Sequence, residues 1–429
     1  MSDARSLTPH TTARRALRRR LLLRMLAVTL LCGLAGGGLV ALAGIPAAGP
    51  LGLLAGGAGF LAAARFWRLE PGVPVLTYHS VSDNAAWLPW RSEISIRPAS
   101  LDRQLRLFRR MGMQIVDSET LVRARLAARP VPGNWMALHF DDGYLDNWVA
   151  AAPILRRHGA CAALFVSTDF IAPPQPLRPM MGHEEPLRWD GYLSWDELRA
   201  LEAEGTFRIE AHGTDHGRIA TGPETVDRLT PENAGRLSWM QWARMPGDKH
   251  DWYLRRNRPV PLGSAVPVSA PALAARGWSS ETGQESDAAY DARVRAVLAT
   301  SREVIAREMG RAPVLFCWPQ NQTSDRARAL AREAGFLATT AGQARNTASD
   351  PAAILSRVHI GEDYAGFRCG WIDDLAVRAQ IRCFQGYVGW VAVLGAVGAL
   401  RRAVRLLTRL RVWGRGRGAG TGALQEGMS

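Results

Sequence analysis

Ala137-Leu138-His139-Phe140-Asp141-Asp142-Gly143-Tyr144 is the stretch that decides the fold class. A short apolar run of strand type leads directly into two adjacent carboxylates and a glycine. In parallel α/β folds the active site forms where the strands end at their C-termini. An apolar strand that ends in Asp-Asp-Gly therefore predicts such a fold, with both carboxylates in its cleft. Two like charges side by side repel, and both stay ionised only if something compensates them. A divalent cation does so by taking one carboxylate as ligand and leaving the other as a base. The alternative reading of an isolated Asp-Asp-Gly is a helix N-cap, a position Asp also favours.

The surrounding sequence repeats the pattern. Strand-type runs occur at 73–78, 136–140, 162–166, 207–210 and 314–317, and helical periodicity at 101–111, 148–158, 195–204, 290–309 and 325–334. This alternation predicts a parallel sheet or barrel. Residues 221–289, rich in Pro, Gly and Trp, break the rhythm and read as an insertion over the site. Within it, Trp239, Trp242 and Trp252 either offer aromatic faces to a ligand or pack the insertion onto the barrel.

A second chemical signal is His212-Gly213-Thr214-Asp215-His216, which follows the run 207–210. Two His four apart meet one metal from a helical turn. Two His and one Asp form a facial triad with open positions, suited to holding and acidifying a catalytic water.

The succession Tyr78-His79, Phe140-Asp141-Asp142-Gly143-Tyr144, His212-x-x-x-His216 and Trp318-Pro319 resembles the polysaccharide deacetylase family, the NodB-homology group or carbohydrate esterase family 4. Leu76-Thr77-Tyr78-His79-Ser80-Val81 and Phe316-Cys317-Trp318-Pro319 are similar to its poly-N-acetylglucosamine deacetylase branch. The resemblance implies an α/β deformed (β/α) barrel and a divalent metal, zinc first among candidates, held by Asp142, His212 and His216. Asp141 would be the base that deprotonates the metal-bound water for attack on an N-acetyl carbonyl, with the backbone N–H of Tyr144 at the oxyanion. His359, in Arg357-Val358-His359-Ile360, would return a proton to the amine, or else is a strand His facing the core. His79, Tyr144, Trp318, Pro319 and Arg357 complete the expected lining. Two departures stand out. Arg357 replaces the family's usual Leu, and Gln320-Asn321 replaces a common Tyr-Gly. The Arg that in many members orients the base is also missing, since Cys317 occupies its place.

Composition narrows the setting. The 429 residues carry a net charge of +14, but residues 1–24 hold seven Arg against one Asp and residues 401–429 seven Arg against one Glu. Basic tails beside apolar stretches suit a membrane surface rather than a nucleic acid, so no nucleic-acid partner is expected. Five scattered Cys without a CxxC pair argue against a disulfide framework. Residues 21–64 are almost wholly apolar, long enough for one or two spans. The expected organisation is a basic tail and membrane anchor at 1–68, a catalytic domain at 69–382, and an apolar then Arg-rich membrane-associated tail at 383–429. The expected setting is a bacterial-type inner membrane, with the face occupied by the domain left open and polysaccharide biosynthesis or export machinery as partner. A catalytically degenerate glycan-binding or scaffolding subunit is the competing functional reading.

Overall fold

The computed structural model describes residues 9–42, 48–66, 68–255, 258–342 and 345–418. The chain forms two compact units, Gly72–Gly361 and a second made of Met1–Pro71 with Glu362–Ser429.

The Gly72–Gly361 unit is built on nine strands: β1 (Val75–Tyr78), β2 (Gln114–Ile115), β3 (Trp135–Asp141), β4 (Ala162–Val166), β5 (Phe207–Ala211), β6 (Leu315–Phe316), β7 (Ala338–Thr340), β8 (Ile354–Leu355) and β9 (Val358–His359). All pairings among them are parallel, in the order β8-β7-β6-β5-β4-β3-β1-β9, with β2 added beside β3. The two ends of this order are consecutive in sequence. Leu355 pairs with Thr340 at one edge, and Val358 pairs with Leu76 at the other. Three peptide steps span at most about 11 Å, so the sheet is curled until its edges nearly meet. The last stave is one strand split at Ser356 and Arg357. This is the expected deformed barrel, an all-parallel sheet with a seam.

Inward residues fill the curl. Val75, Ala137, Ala163, Phe165, Cys317, Ala338 and Leu355 are buried together. Their neighbours of opposite parity, Leu76, Leu138, Phe140 and Leu164, are buried on the outer face, which gives the continuous apolar runs typical of a parallel sheet covered on both sides. Helix boundaries follow local chemistry. Pro98 opens Pro98–Arg110, a Ser194–Glu197 capping box opens Trp195–Ala203, and Gly310 at φ 69° ends Asp287–Met309.

A side chain replaces the missing ladder at the seam. The buried Asn346 amide donates to the carbonyls of Val73 (2.9 Å) and Ser356 (2.8 Å), and its oxygen accepts from the Ser356 N–H (2.7 Å). Asn346→Ala strands three buried backbone groups and is expected to cost about 2–4 kcal/mol, read as a lower denaturation midpoint of the full chain at unchanged denaturant dependence.

Residues 221–289 are more regular than their composition suggests. An antiparallel ribbon pairs Arg218–Arg228 with Ala265–Pro271, its register shifted on both sides of Thr225. Pro and Gly within it conceal the alternation. The buried Lys249 ties this region down through Asp169 Oδ2 (2.6 Å).

In the second unit, Pro9–Leu42 and Ala48–Phe66 form an antiparallel helical pair lined with glycine. A Cβ at Gly52 would lie 3.0 Å from the Gly33 carbonyl and one at Gly36 2.6 Å from Ala55 Cβ, so these helices approach as closely as they do because side chains are absent. One helical segment, Leu23–Leu42, is long and apolar enough to cross a membrane, while Gly49–Ala64 is shorter. The C-terminal part adds Gly370–Phe384 and Trp390–Gly418. Val388 packs with Met25 and Ala63, and the Arg68 guanidinium lies 4.0 Å from the Tyr387 ring centroid. Among the described residues Trp390–Gly418 is not apolar enough over its length to count as a span. The expected C-terminal membrane association thus rests on composition alone. Residues 1–8 and 419–429 of the basic tails lie outside the described residues.

Candidate active site

The two-residue period of β3 sends Ala137, His139 and Asp141 inward, and Asp141 stands at the C-terminal end of the strand. Register carries the same face round the barrel. Thr77 of β1 is opposite both His139 and His359, so Thr77, His79, Arg357 and His359 share the interior side with Asp141. Directly after β3, Asp142 (φ 75°) and Gly143 (φ 72°) take the left-handed conformation. A side chain at Gly143 would meet Ile171 Cδ1 at 2.9 Å, so the position also needs glycine for space. At Asp142 the strained backbone turns the carboxylate toward two imidazoles.

His212 Nδ1 lies 2.8 Å from the Cys317 carbonyl, which fixes the N–H there and leaves Nε2 as the free lone pair, 3.3 Å from Asp142 Oδ1. His216 Nε2 is 3.9 Å from the same oxygen, and the ligand atoms of Asp142, His212 and His216 lie within 4.8 Å of one another. Two imidazoles and a carboxylate facing an open cleft fit a divalent cation. Asp141, His212 and Cys317 also lie within that distance, but Asp141 Oδ1 is held by Arg357, Oδ2 lies 3.6 Å from Cys317 Sγ, and all three residues are buried. The His pair does not sit on a helical turn. It spans a loop in which Gly213 has φ 86° and His216 φ 52°, because the glycine breaks the chain immediately after β5.

Electrostatics agree with a cation cradle. Burial alone would raise the Asp142 carboxyl, but His212 and His216 hold it at about 2. His212 is pushed well above its ordinary value against the opposing effect of burial, by Cys317 and the two carboxylates. A proton and a divalent cation therefore compete for the same negative cradle.

Asp141 is compensated differently. Arg357 Nη1 donates to its Oδ1 at 2.7 Å, while His79 Nε2 lies 3.7 Å and Cys317 Sγ 3.6 Å from Oδ2. Burial would raise the Asp141 carboxyl, and the Arg357 guanidinium more than reverses this, holding it far below the usual carboxylate range. Arg357, expected as a lining residue at odds with the resemblance, thus stands where it can orient Asp141, a position that Cys317 cannot fill. The split stave puts it there.

The cleft is about 570 Å³ and is walled by His79, Asp141, Asp142, His212, His216, Arg357 and His359 on the barrel side. His79 and His359 face each other with ring centroids 5.5 Å apart. Tyr144, Trp318 and Pro319 are buried behind the wall: Trp90 Nε1 donates to the Tyr144 hydroxyl, and Trp318 packs on Phe316. Gln320 and Asn321 reach the cleft instead. The outer wall is Trp90, Glu93, Ile94, Arg218, Arg236, Trp239 and Trp242. Of the three tryptophans singled out in the insertion, Trp239 and Trp242 line the cleft, whereas Trp252 stacks on Trp90 behind it. Glu93, Arg218 and Arg236 carry no sequence signal of their own, being ordinary charged residues outside any motif.

A parallel barrel gathers two carboxylates and a His pair at its strand ends, a donor set of hydrolase type that fits a divalent cation. Residues 128–239 match the family model described as polysaccharide deacetylase. The poly-β-1,6-N-acetyl-D-glucosamine N-deacetylase of Escherichia coli strain K12 is 23% identical over 173 residues, which is 40% of this chain and 25% of that protein. The chain thus matches a quarter of the length of this curated relative. Among solved structures, a de-N-acetylase from Aggregatibacter actinomycetemcomitans has a TM-score of 0.47 at 22% identity, covering 67% of this chain and 94% of its own. The BpsB deacetylase domain from Bordetella bronchiseptica gives 0.48 at 21%, covering 68% and 97%.

Proposed function

We propose that this protein is a metal-dependent N-deacetylase that removes acetyl groups from an N-acetylated glycan. The observation that carries the reading is the placement of Asp141, ionised and clamped by Arg357, beside the Asp142–His212–His216 cradle in one cleft. A divalent cation held by those three residues, with zinc favoured by the N,N,O donor set, would supply Lewis acidity toward water and the acetyl carbonyl.

The protein's own groups do the rest. Asp141 Oδ2, the oxygen not held by Arg357, accepts the proton of the attacking water. Arg357 keeps that carboxylate in one orientation and in its basic form. Proton return to the departing amine falls to the His359–His79 pair, His359 being the residue that the family pattern places in this role. Trp239 and Trp242 offer aromatic faces along the cleft for sugar rings. The segment Leu23–Leu42 holds the enzyme at a membrane, where its substrate is a polymer in assembly or a carrier-linked sugar.

The test uses the full chain in detergent, with metal content and acetate release measured together. Wild type is expected to hold about one divalent ion per chain and to release acetate from N-acetylglucosamine oligomers. His212→Ala is expected to lose both while keeping its fold. A wild-type chain that binds glycan but neither holds metal nor releases acetate would overturn the proposal in favour of a binding or scaffolding role.

A further inference from the structure

Among the described residues, the cleft wall contains one arginine with no carboxylate at ion-pair distance. Arg357 is paired with Asp141, and Arg236 with Glu93. Arg218, at the start of the ribbon strand Arg218–Arg228, makes only neutral contacts. Its Nε donates to Ser269 Oγ (3.2 Å), its Nη2 to the Ser269 carbonyl (2.7 Å) and its Nη1 to Gln320 Oε1 (2.6 Å), and its guanidinium lies 5.9 Å from the Trp239 ring centroid. No carboxylate lies within ion-pair distance of it among the described residues, although it is only partly exposed. Held by neutral acceptors alone, the guanidinium keeps its charge for a partner that arrives from outside.

Three contacts use three of the five guanidinium N–H groups, which leaves two donors on a fork already locked in place. A fixed fork of this kind matches the paired oxygens of a carboxylate or phosphate. The locking residue is itself informative. Gln320 is one of the two positions at which the loop after Trp318-Pro319 departs from the family pattern, and both Gln320 (φ 55°) and Asn321 (φ 53°) are left-handed without being glycine. The departure and the uncompensated arginine are thus one device: the strained loop presents the Gln320 side chain to Arg218. Beside it the Asn321 side-chain oxygen is buried with no donor among the described residues.

We infer that Arg218, set by Gln320 and Ser269, forms a subsite for an anionic group of the glycan substrate, a carboxylate or a phosphate on or next to the sugar that carries the acyl group. The inference rests on the glycan-deacetylase reading of the cleft and deepens it. In that reading the cation cradle and Asp141 act on the acyl group, while Arg218 selects substrates by charge.

The experiment uses the full chain with three probes: a neutral N-acetylglucosamine pentamer, an oligomer alternating N-acetylglucosamine with glucuronate, and UDP-N-acetylglucosamine. Binding is measured by calorimetry and turnover by acetate release. At least one anionic probe is expected to bind roughly 10- to 100-fold more tightly than the neutral pentamer. Arg218→Gln is expected to erase that preference chiefly through KM, and Arg218→Lys to restore part of it. The uronate arm and the diphosphate arm tell a polymer carboxylate from a carrier phosphate. Equal binding of charged and neutral probes by wild type, or a charge preference that survives Arg218→Gln, overturns the subsite. Because calorimetry needs no turnover, loss of acetate release on every probe would count against the deacetylase reading while binding still decides the subsite.

Discussion

Asp141→Asn is expected to reduce acetate release by about 10³-fold or more while the chain still binds its metal. A positioned general base contributes roughly 10²–10⁴, and in the proposed mechanism the same carboxylate also aligns the attacking water. Asn keeps the size of the side chain, so the cradle of Asp142, His212 and His216 is left as it was. The substitution does remove the partner of Arg357, which is buried to the same degree as Asp141. An uncompensated buried charge costs about 3–5 kcal/mol, so the single variant should also melt earlier. Adding Arg357→Met is expected to recover stability and no activity, a combination that separates loss of the base from loss of the fold. Activity near wild type in Asp141→Asn, with metal bound, would remove Asp141 from the mechanism.

Arg357→Leu should be nearly as damaging, and its effect should depend on pH. Arg357 lowers the Asp141 carboxyl against the pull of burial. Without the guanidinium, burial prevails and the carboxyl rises above its ordinary 3.8. The base is then protonated over part of the working range. The acidic limb of the kcat profile should move to higher pH, with a loss on the order of 10²-fold near pH 5 that shrinks as pH rises. Stability follows the same group. In wild type a depressed Asp141 favours folding above the ordinary carboxylate range, and that contribution is lost as pH falls through its folded value. In Arg357→Leu the sign reverses, because the native state now holds the proton more tightly than the unfolded chain, so folding weakens as pH rises toward the elevated value. A purely structural role for Arg357 would lower kcat equally at all pH values. Arg357→Lys, which keeps the charge without the fork, should return part of the acidic limb.

Much of the site could be read from local sequence. An apolar run into Asp141 and Asp142 already implies a strand end, and a strand end in an α/β fold implies a cleft. The pair His212 and His216 was legible by spacing, though its conformation was not: Gly213 makes a bend where spacing alone suggested a helical turn. What escaped depends on contacts distant in the chain. Arg357 reads as a mismatch until the sheet is seen to close between Leu355 and Val358, which turns that residue inward. Arg218 gives no local signal at all, since its significance lies in the carboxylates that are absent around it. The ribbon in the insertion was hidden by Pro and Gly and by irregular register at Thr225.

The split stave also sets an order of events at the ribosome. The carboxylate that needs compensation is made 216 residues before the arginine that compensates it. At translation rates of about 5–20 residues per second, that interval is on the order of 10–40 s. For most of that interval, once His216 has been added, the nascent chain contains Asp142, His212 and His216, the proposed cation cradle, without the arginine that compensates Asp141. Closure of the barrel at its seam is the step that supplies the arginine, which makes completion of the fold and the onset of catalysis a single late event. On the proposed mechanism, a chain released early, before residue 357, would carry every proposed metal ligand and remain silent.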